Sequence, residues 1–386
     1  MWLVCAWLLA RTSVPKLHLS GLDQRRFFSA GLLARSERYT RGSDLLWLAG
    51  EVATLVALAV VARVLPKRVR GFGLGRVGSS IIVAMVLLVT LWFVQLPFGI
   101  ASLWWDHHYG LSKFDVGAWI GMQWGTLVGE AIAVLAGVVL LVAFAGKFRR
   151  TWWVFSGMAI VAIAALFAFT GGYIDAAGTH PLRSATLRAD VRRLEAIEHV
   201  RGTPVRVQKV SNLTSQVNAF TSGFGPSRHV VVWDTALDGR LSHAEVDVII
   251  AHELGHVRSG HIVKAIGWSA LVVLPTLFIV ALVTRRRGGL ANPASLPLAF
   301  LTLAVLALLT TPIQNYVSRR YEAEADWRAL NATRDPAAAR GLFQQFARTS
   351  LEQPNPPTWD YVMLQTHPTL MQRIAMAQAW AARNRP

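Results

Sequence analysis

His252, Glu253 and His256 stand in a His-Glu-x-x-His arrangement within the stretch 249–261, Ile-Ile-Ala-His-Glu-Leu-Gly-His-Val-Arg-Ser-Gly-His. On a helix, positions i and i+4 share one face, so both imidazoles reach a single metal ion. Glu253 then lies where it takes a proton from an activated water. That is the outline of a zinc hydrolase site. Such a site takes three protein ligands and leaves one position open for water. Downstream, Arg319-Arg320-Tyr321-Glu322-Ala323-Glu324-Ala325-Asp326 offers two acids, Glu322 and Glu324, on opposite sides of a helix. Glu322 shares its face with Asp326 at i+4. One face thus supplies both a ligand and a carboxylate to hold a ligating imidazole ring, which favours Glu322 over an ordinary acidic surface helix. The single cysteine, Cys5, excludes a cysteine-based metal site and an internal disulfide.

The elements that must position these groups are legible on either side of them. Ser242 followed by Glu245 is a capping box that starts the helix, and Val246, Val248, Ile249, Ile250 and Leu254 give it an apolar side. Arg183 to His199 reads as a basic amphipathic helix and Val205 to Val210 alternates like a strand. Gln216 to Phe220, a turn at Gly223 and Gly225, and a second strand, His229 to Trp233, come next. Placed just before the metal-binding helix, that second strand is the expected edge on which an extended peptide lies, at Val231 and Val232. His261, five residues beyond His256, falls off the ligand face and reads as structural.

Composition places this machinery in a membrane. The 386-residue chain is 53% hydrophobic and 16% charged, and apolar runs near 44–64, 80–102, 118–143, 152–173, 264–284 and 294–314 are each long enough to span a bilayer. Residues 1–10 are apolar but about half the length a span needs. They read as a signal-like segment, a reduced seventh span or a surface helix. Residues 11–43, with Arg25, Arg26, Arg35, Arg38 and Arg41, read as a basic segment forming a short surface helix. The expected division is a basic segment at 1–43, spans at 44–173, a first metalloprotease part at 174–263, spans at 264–315 and a second metalloprotease part at 316–386. The net charge of +17 lies outside the spans, in the two soluble stretches and in loops such as that of Lys67, Arg68, Arg70 and Arg76. Interfacial cations of a bilayer-embedded protein explain it without nucleic acid. The fold class is therefore a mostly α polytopic membrane protein of six helices, or seven with residues 1–10, carrying a metalloprotease domain of helices and a small β-sheet.

These motifs together resemble the type I CAAX prenyl endopeptidases, integral-membrane zinc metalloproteases of the gluzincin class, to which the bacterial heat-shock membrane proteases are more distantly related. The similarity runs over roughly residues 44–380. It includes Leu96-Pro97-Phe98, Tyr109-Gly110, Asn218-Ala219-Phe220, Val231-Val232-Trp233-Asp234-Thr235, Gly260-His261, Glu322 to Asp326, Thr366-His367-Pro368 and Arg373-Ile374. The resemblance implies one zinc per chain on His252, His256 and Glu322, with Glu253 as general base and Asp326 behind the metal ligands. It further implies that Asn218 binds the substrate backbone, that His367 faces the developing oxyanion, and that Arg373 buttresses the site. The chain departs from the eukaryotic pattern in its short segment 236–251 and its reduced first span.

The implied substrate is a peptide or protein in or at the lipid bilayer, prenylated if the C-terminal CAAX tripeptide is what is removed. A quality-control protease of broader specificity fits the same residues. A third reading is a non-enzymatic carrier, with Glu130 as an intramembrane proton site and zinc as structure. Orientation is contested within the sequence. The basic loops at 65–79, 144–151 and 285–293 argue for an active site outside the cell, while the basic N-terminal stretch and the resemblance argue for the cytosol, which is the expectation adopted.

Overall fold

The computed structural model describes residues 1–69 and 73–384; Arg70 of the basic loop lies outside them, as do Arg385 and Pro386. In chain order the helices and strands are α1 (Trp2–Ala10), α2 (Ala30–Val64), α3 (Pro66–Val69), α4 (Gly75–His108), α5 (Val116–Lys147), α6 (Trp152–Ala177), β1 (His180–Pro181), α7 (Ala185–Ile197), β2 (Val205–Gln208), β3 (Ala219–Ser222), β4 (His229–Trp233), α8 (His243–Ser259), α9 (His261–Thr284), α10 (Leu296–Thr333), α11 (Pro336–Thr349), α12 (Thr358–Met363) and α13 (Leu370–Arg383). Helices α2, α4, α5, α6, α9 and α10 carry the six expected spans, each long and apolar enough to cross a membrane. The nine residues of α1 reach about 14 Å, against a hydrocarbon thickness of about 30 Å. α1 packs along α9. Trp2 Nε1 donates to Leu271 O at 3.0 Å, and Leu9 occupies the space that Gly267 leaves open.

The expected short surface helix within residues 11–43 is not a separate element. Residues 11–29 run without helix except for one 3-10 turn at Gln24–Arg26. Ser29 Oγ then accepts from Leu32 N, and α2 continues unbroken from Ala30 into the membrane. At Gly42 within it, the Trp105 ring of α4 packs where a Cβ would stand.

Two hydrophobic cores result. One lies among the spans, around Leu58, Val83, Leu87, Val142, Leu277 and Val280. The other lies in the protease part, where α7, α8, α10, α11, α13 and the sheet share a core around Leu194, Val230, Ile250, Leu330, Phe343 and Ile374. α10 joins them. Its 38 residues extend about 57 Å, well beyond the hydrocarbon. The C-terminal part of the helix therefore stands clear of the bilayer and delivers Glu322 and Asp326 to the protease part.

The sheet has the order β1-β2-β4-β3, with β2 and β4 parallel and the other pairs antiparallel. β4 is therefore interior, hydrogen-bonded on both sides. The expectation that it is the peptide-binding edge is corrected: Val231 and Val232 are fully buried, and their backbone groups are committed to β2 and β3. The edge strands are β1 and β3, and β3 follows Asn218 directly. The turn from β3 into β4 needs Gly223, whose φ is +72° and whose Cβ, if present, would meet Ser227 O.

The crossing of α8 on α10 fixes the site, and Gly255 sits in it between His252 and His256. A Cβ there would lie 3.2 Å from Arg328 Cβ and 3.4 Å from Ala325 Cα. Gly255→Val is accordingly expected to lower the thermal unfolding midpoint of the detergent-solubilised protein, with a cost of about 1–3 kcal/mol for overpacking. An unchanged midpoint would show that the two helices separate freely.

Candidate active site

α8 starts where the sequence places it. Glu245 N donates to Ser242 Oγ at 3.3 Å, and Ser242 N donates to Glu245 Oε2 at 2.7 Å, the reciprocal cap that satisfies free amides at a helix start. Three turns on, His252, Glu253 and His256 face β3 and α10. His252 Nε2 and His256 Nε2 are 3.0 Å apart, and Glu322 Oε2 lies 3.2 Å from the first and 3.5 Å from the second. Among the described residues these three form one of two clusters whose ligand-capable atoms converge. The other, Asp190, His243 and Asp247, already holds an internal cation, with Arg193 at 3.5 Å from Asp190 and 3.1 Å from Asp247.

Each converging group is held from behind. His252 Nδ1 stands 2.9 Å from Asp326 Oδ1, and Arg373 grips the same carboxylate with two bonds, Nε to Oδ2 at 2.8 Å and Nη2 to Oδ1 at 2.7 Å. The guanidinium in turn lies over the Phe343 ring, 4.3 Å from its centroid. Glu253 is buried, and the Thr221 hydroxyl on β3 lies 2.9 Å from both its Oε2 and its backbone oxygen. His367 is half-exposed and brings Nε2 to 3.0 Å from Glu322 Oε2.

The electrostatics favour positive charge at the centre. Burial disfavours a charged His252 ring, yet hydrogen bonds to Asp326 and Glu322 outweigh it and raise its pKa to about 10. Burial likewise opposes the His367 cation, and the Glu322 carboxylate pulls its pKa upward. Two imidazole nitrogens and one carboxylate oxygen, buried at His252 and partly buried at His256 and Glu322, converge within 3.5 Å of one another and are the donor chemistry that zinc takes. A cavity of about 70 Å³ opens beside them, bordered by Asn218, Ala219, Glu253, His367, Phe346 and Arg373.

The expected residues Asn218, His252, Glu253, His256, Glu322, Asp326, His367 and Arg373 thus come together, while Val231 and Val232 do not. Glu324 turns away from Glu322, as helix geometry requires, and bonds to Ser13 N and Oγ at 2.9 and 2.6 Å. His261 is off the ligand face, but it is not remote. Its Nδ1 lies 2.8 Å from His256 Nδ1, because Gly260 in the left-handed conformation ends α8 and folds the start of α9 back. That glycine was the available signal. For Thr221 and Ser13 the sequence carried none. Glu130 lies on an exposed face of α5, outside this cluster.

Residues 181–381, just over half of the chain, match Peptidase family M48. The chain belongs to this family. It is 25% identical over 378 residues, covering 92% of this chain and 88% of the other, to the uncharacterized metalloprotease YhfN of Bacillus subtilis. It is 29% identical over 302 residues, 70% of this chain and 93% of the other, to a protease HtpX homolog of Acidiphilium cryptum. To a CAAX prenyl protease 1 homolog of Oryza sativa subsp. japonica it is 23% identical over 304 residues, 74% of this chain and 71% of the other. The fold is that of the crystal structure of S. mikatae Ste24p, with a TM-score of 0.75 at 18% identity, covering 97% of this chain and 95% of that one. The M48 chain described here is therefore a multi-pass membrane metalloprotease, and the carrier reading falls away.

Arg373 neutralises a carboxylate that is otherwise deeply buried. Arg373→Met should destabilise the protease part by about 3–5 kcal/mol by leaving Asp326 uncompensated, measured by chemical unfolding. Adding Asp326→Asn should restore part of the loss. Strictly additive losses would mean that the two side chains act independently.

Proposed function

We propose that this M48 protease is a zinc metalloendopeptidase in which His252, His256 and Glu322 hold the metal and Glu253 is the general base. The observation that carries the reading is the convergence of His252 Nε2, His256 Nε2 and Glu322 Oε2 from two helices, with Glu253 beside them on the same cavity. Zinc bound there would supply Lewis acidity, making water a better nucleophile and polarising the scissile carbonyl. Glu253, oriented by the Thr221 hydroxyl, takes the proton of the attacking water and passes it to the leaving amine. His367, drawn toward its charged form by Glu322, stands where it donates to the oxygen on which negative charge develops. Asp326 and Arg373 fix the His252 ring so that Nε2 faces the metal position.

The substrate lies extended against β3. That strand has one side hydrogen-bonded to β4 and, among the described residues, no strand on the other, which is the arrangement to which a peptide adds itself as a further strand. Asn218, at its start, keeps its side chain at the cavity and is placed to bond the peptide backbone. The preferred substrate is the C-terminal tripeptide of a prenylated CAAX protein, supported by the similarity to the rice CAAX prenyl protease 1 homolog and by the Ste24p-like fold. The second reading, cleavage of membrane proteins without a prenyl requirement, is supported by the similarity to the protease HtpX homolog. The site is assigned to the cytosolic side. In support, the basic N-terminal stretch packs against the protease part, where Gln344 Nε2 donates to Phe27 O at 2.7 Å.

Detergent-purified wild type is expected to hold about one zinc and to cleave a peptide substrate. Glu253→Gln should hold the same zinc and lose about 10²–10⁴-fold in kcat, the usual worth of a general base. A Glu253→Gln protein that retains wild-type turnover would remove Glu253 from the chemistry. The same assay with farnesylated and unmodified peptides separates the substrate readings. Faster cleavage of the farnesylated peptide fits CAAX processing, and equal rates fit the broader protease.

A further inference from the structure

The two candidate histidine ligands are supported differently. Behind His252 stands the Asp326–Arg373 pair already described. Behind His256 stands a second imidazole. His256 Nδ1 and His261 Nδ1 are 2.8 Å apart, and His261 Nε2 is 3.1 Å from Glu324 Oε2. His261 is buried and stacks on Tyr321, with ring centroids 4.5 Å apart and planes 12° from parallel.

We infer that His261 is the positioning residue for His256, and that Glu324 and Ser13 of the N-terminal segment hold it in place. This rests on the reading of His256 as a metal ligand.

One assignment of protons satisfies the whole chain. If His256 turns Nε2 to the metal, its Nδ1 carries the hydrogen and donates it to His261 Nδ1. His261 then has its hydrogen on Nε2, which donates to the Glu324 carboxylate. With both rings neutral, reversing either one leaves two hydrogens or two lone pairs facing each other, so the contacts hold the tautomer that a metal ligand needs. Glu324 is not free to swing away. Its Oε1 accepts from both Ser13 N and Ser13 Oγ, while Lys264 and Arg328 approach at 3.6 and 3.8 Å.

The last link joins the N-terminal segment to the chemistry. Ser13 is anchored beside its neighbours: Arg320 Nε donates to Ala10 O at 2.8 Å, and the Tyr321 hydroxyl donates to Leu9 O at 2.7 Å. Residues 9–13 thus lie along the C-terminal part of α10 and brace the Glu324 side of the helix, opposite the Glu322 side that meets α8. The apolar α1 and the extended segment after it therefore act as a brace for the metal position.

The test is zinc affinity, measured by competition with a chromogenic chelator on the full chain in detergent, for wild type, His256→Ala, His261→Phe, His261→Gln and Ser13→Ala. His261→Phe keeps the ring on Tyr321 and loses both hydrogen bonds, and it should bind zinc about 10–100-fold more weakly. His261→Gln keeps an acceptor for His256 and a donor for Glu324, and it should return to within a few-fold of wild type. Ser13→Ala keeps the backbone N–H bond and should lose a few-fold. Wild-type affinity in His261→Phe overturns the proposal, as does a Gln variant as weak as the Phe one, since packing alone would then explain the loss. Should His261→Phe not fold, Ser13→Ala carries the test: a loss supports the brace and wild-type affinity overturns it. If His256→Ala binds zinc as wild type does, the ligand assignment fails instead, so the two failures are distinguishable.

Discussion

Asp326 is the carboxylate on which the site depends, because it is almost fully buried and touches both His252 and Arg373. A buried carboxylate is tolerable only when paired and hydrogen-bonded, and here each partner comes from a different element. His252 arrives on α8, Arg373 on α13, and Asp326 itself on the part of α10 that stands clear of the membrane. Neutralising one charge therefore requires three distant segments to dock in one geometry. That docking places Glu322, one helical turn before Asp326, opposite the two imidazoles.

The membrane enters through the length of α10. A helix that merely spanned would stop near the interface, and the acid pair would have to come from a loop. By running on for several turns, α10 carries one continuous helix from the spans into the protease part. Loops are more mobile than the elements they connect, and a metal position shared between helices needs its donors held to within a fraction of an ångström. Gly255 allows α8 to approach α10 closely enough for this, and Gly260 turns the chain straight from α8 into the next span.

Much of this was legible in sequence because it is local. The His-Glu-x-x-His spacing, the Ser242–Glu245 cap, the four-residue interval between Glu322 and Asp326, and the apolar runs all express helical periodicity or bilayer thickness. What was not legible is non-local. β4 reads as an edge because it precedes α8, and only its parallel pairing with β2, across the intervening β3 hairpin, makes it interior. His261 reads as structural and off the ligand face when helix geometry is continued past Ser259, and the left-handed Gly260 is what folds it back onto His256. Ser13 reaches Glu324 across 311 positions of sequence, and no periodicity announces such a contact. The segment 11–43 was misread for a related reason: its charge suggests a surface element, but nothing within it stops a helix that begins at Ser29.

The central claim, that one metal is held across α8 and α10, is tested most directly by zinc K-edge absorption spectroscopy on the full chain and on Glu322→Ala. The account predicts a shell of nitrogen and oxygen donors alone, with two imidazoles, and predicts that the two imidazoles persist while the metal is held more weakly in the variant. A shell containing sulfur, a shell with three imidazoles, or an identical shell and affinity in Glu322→Ala would contradict it.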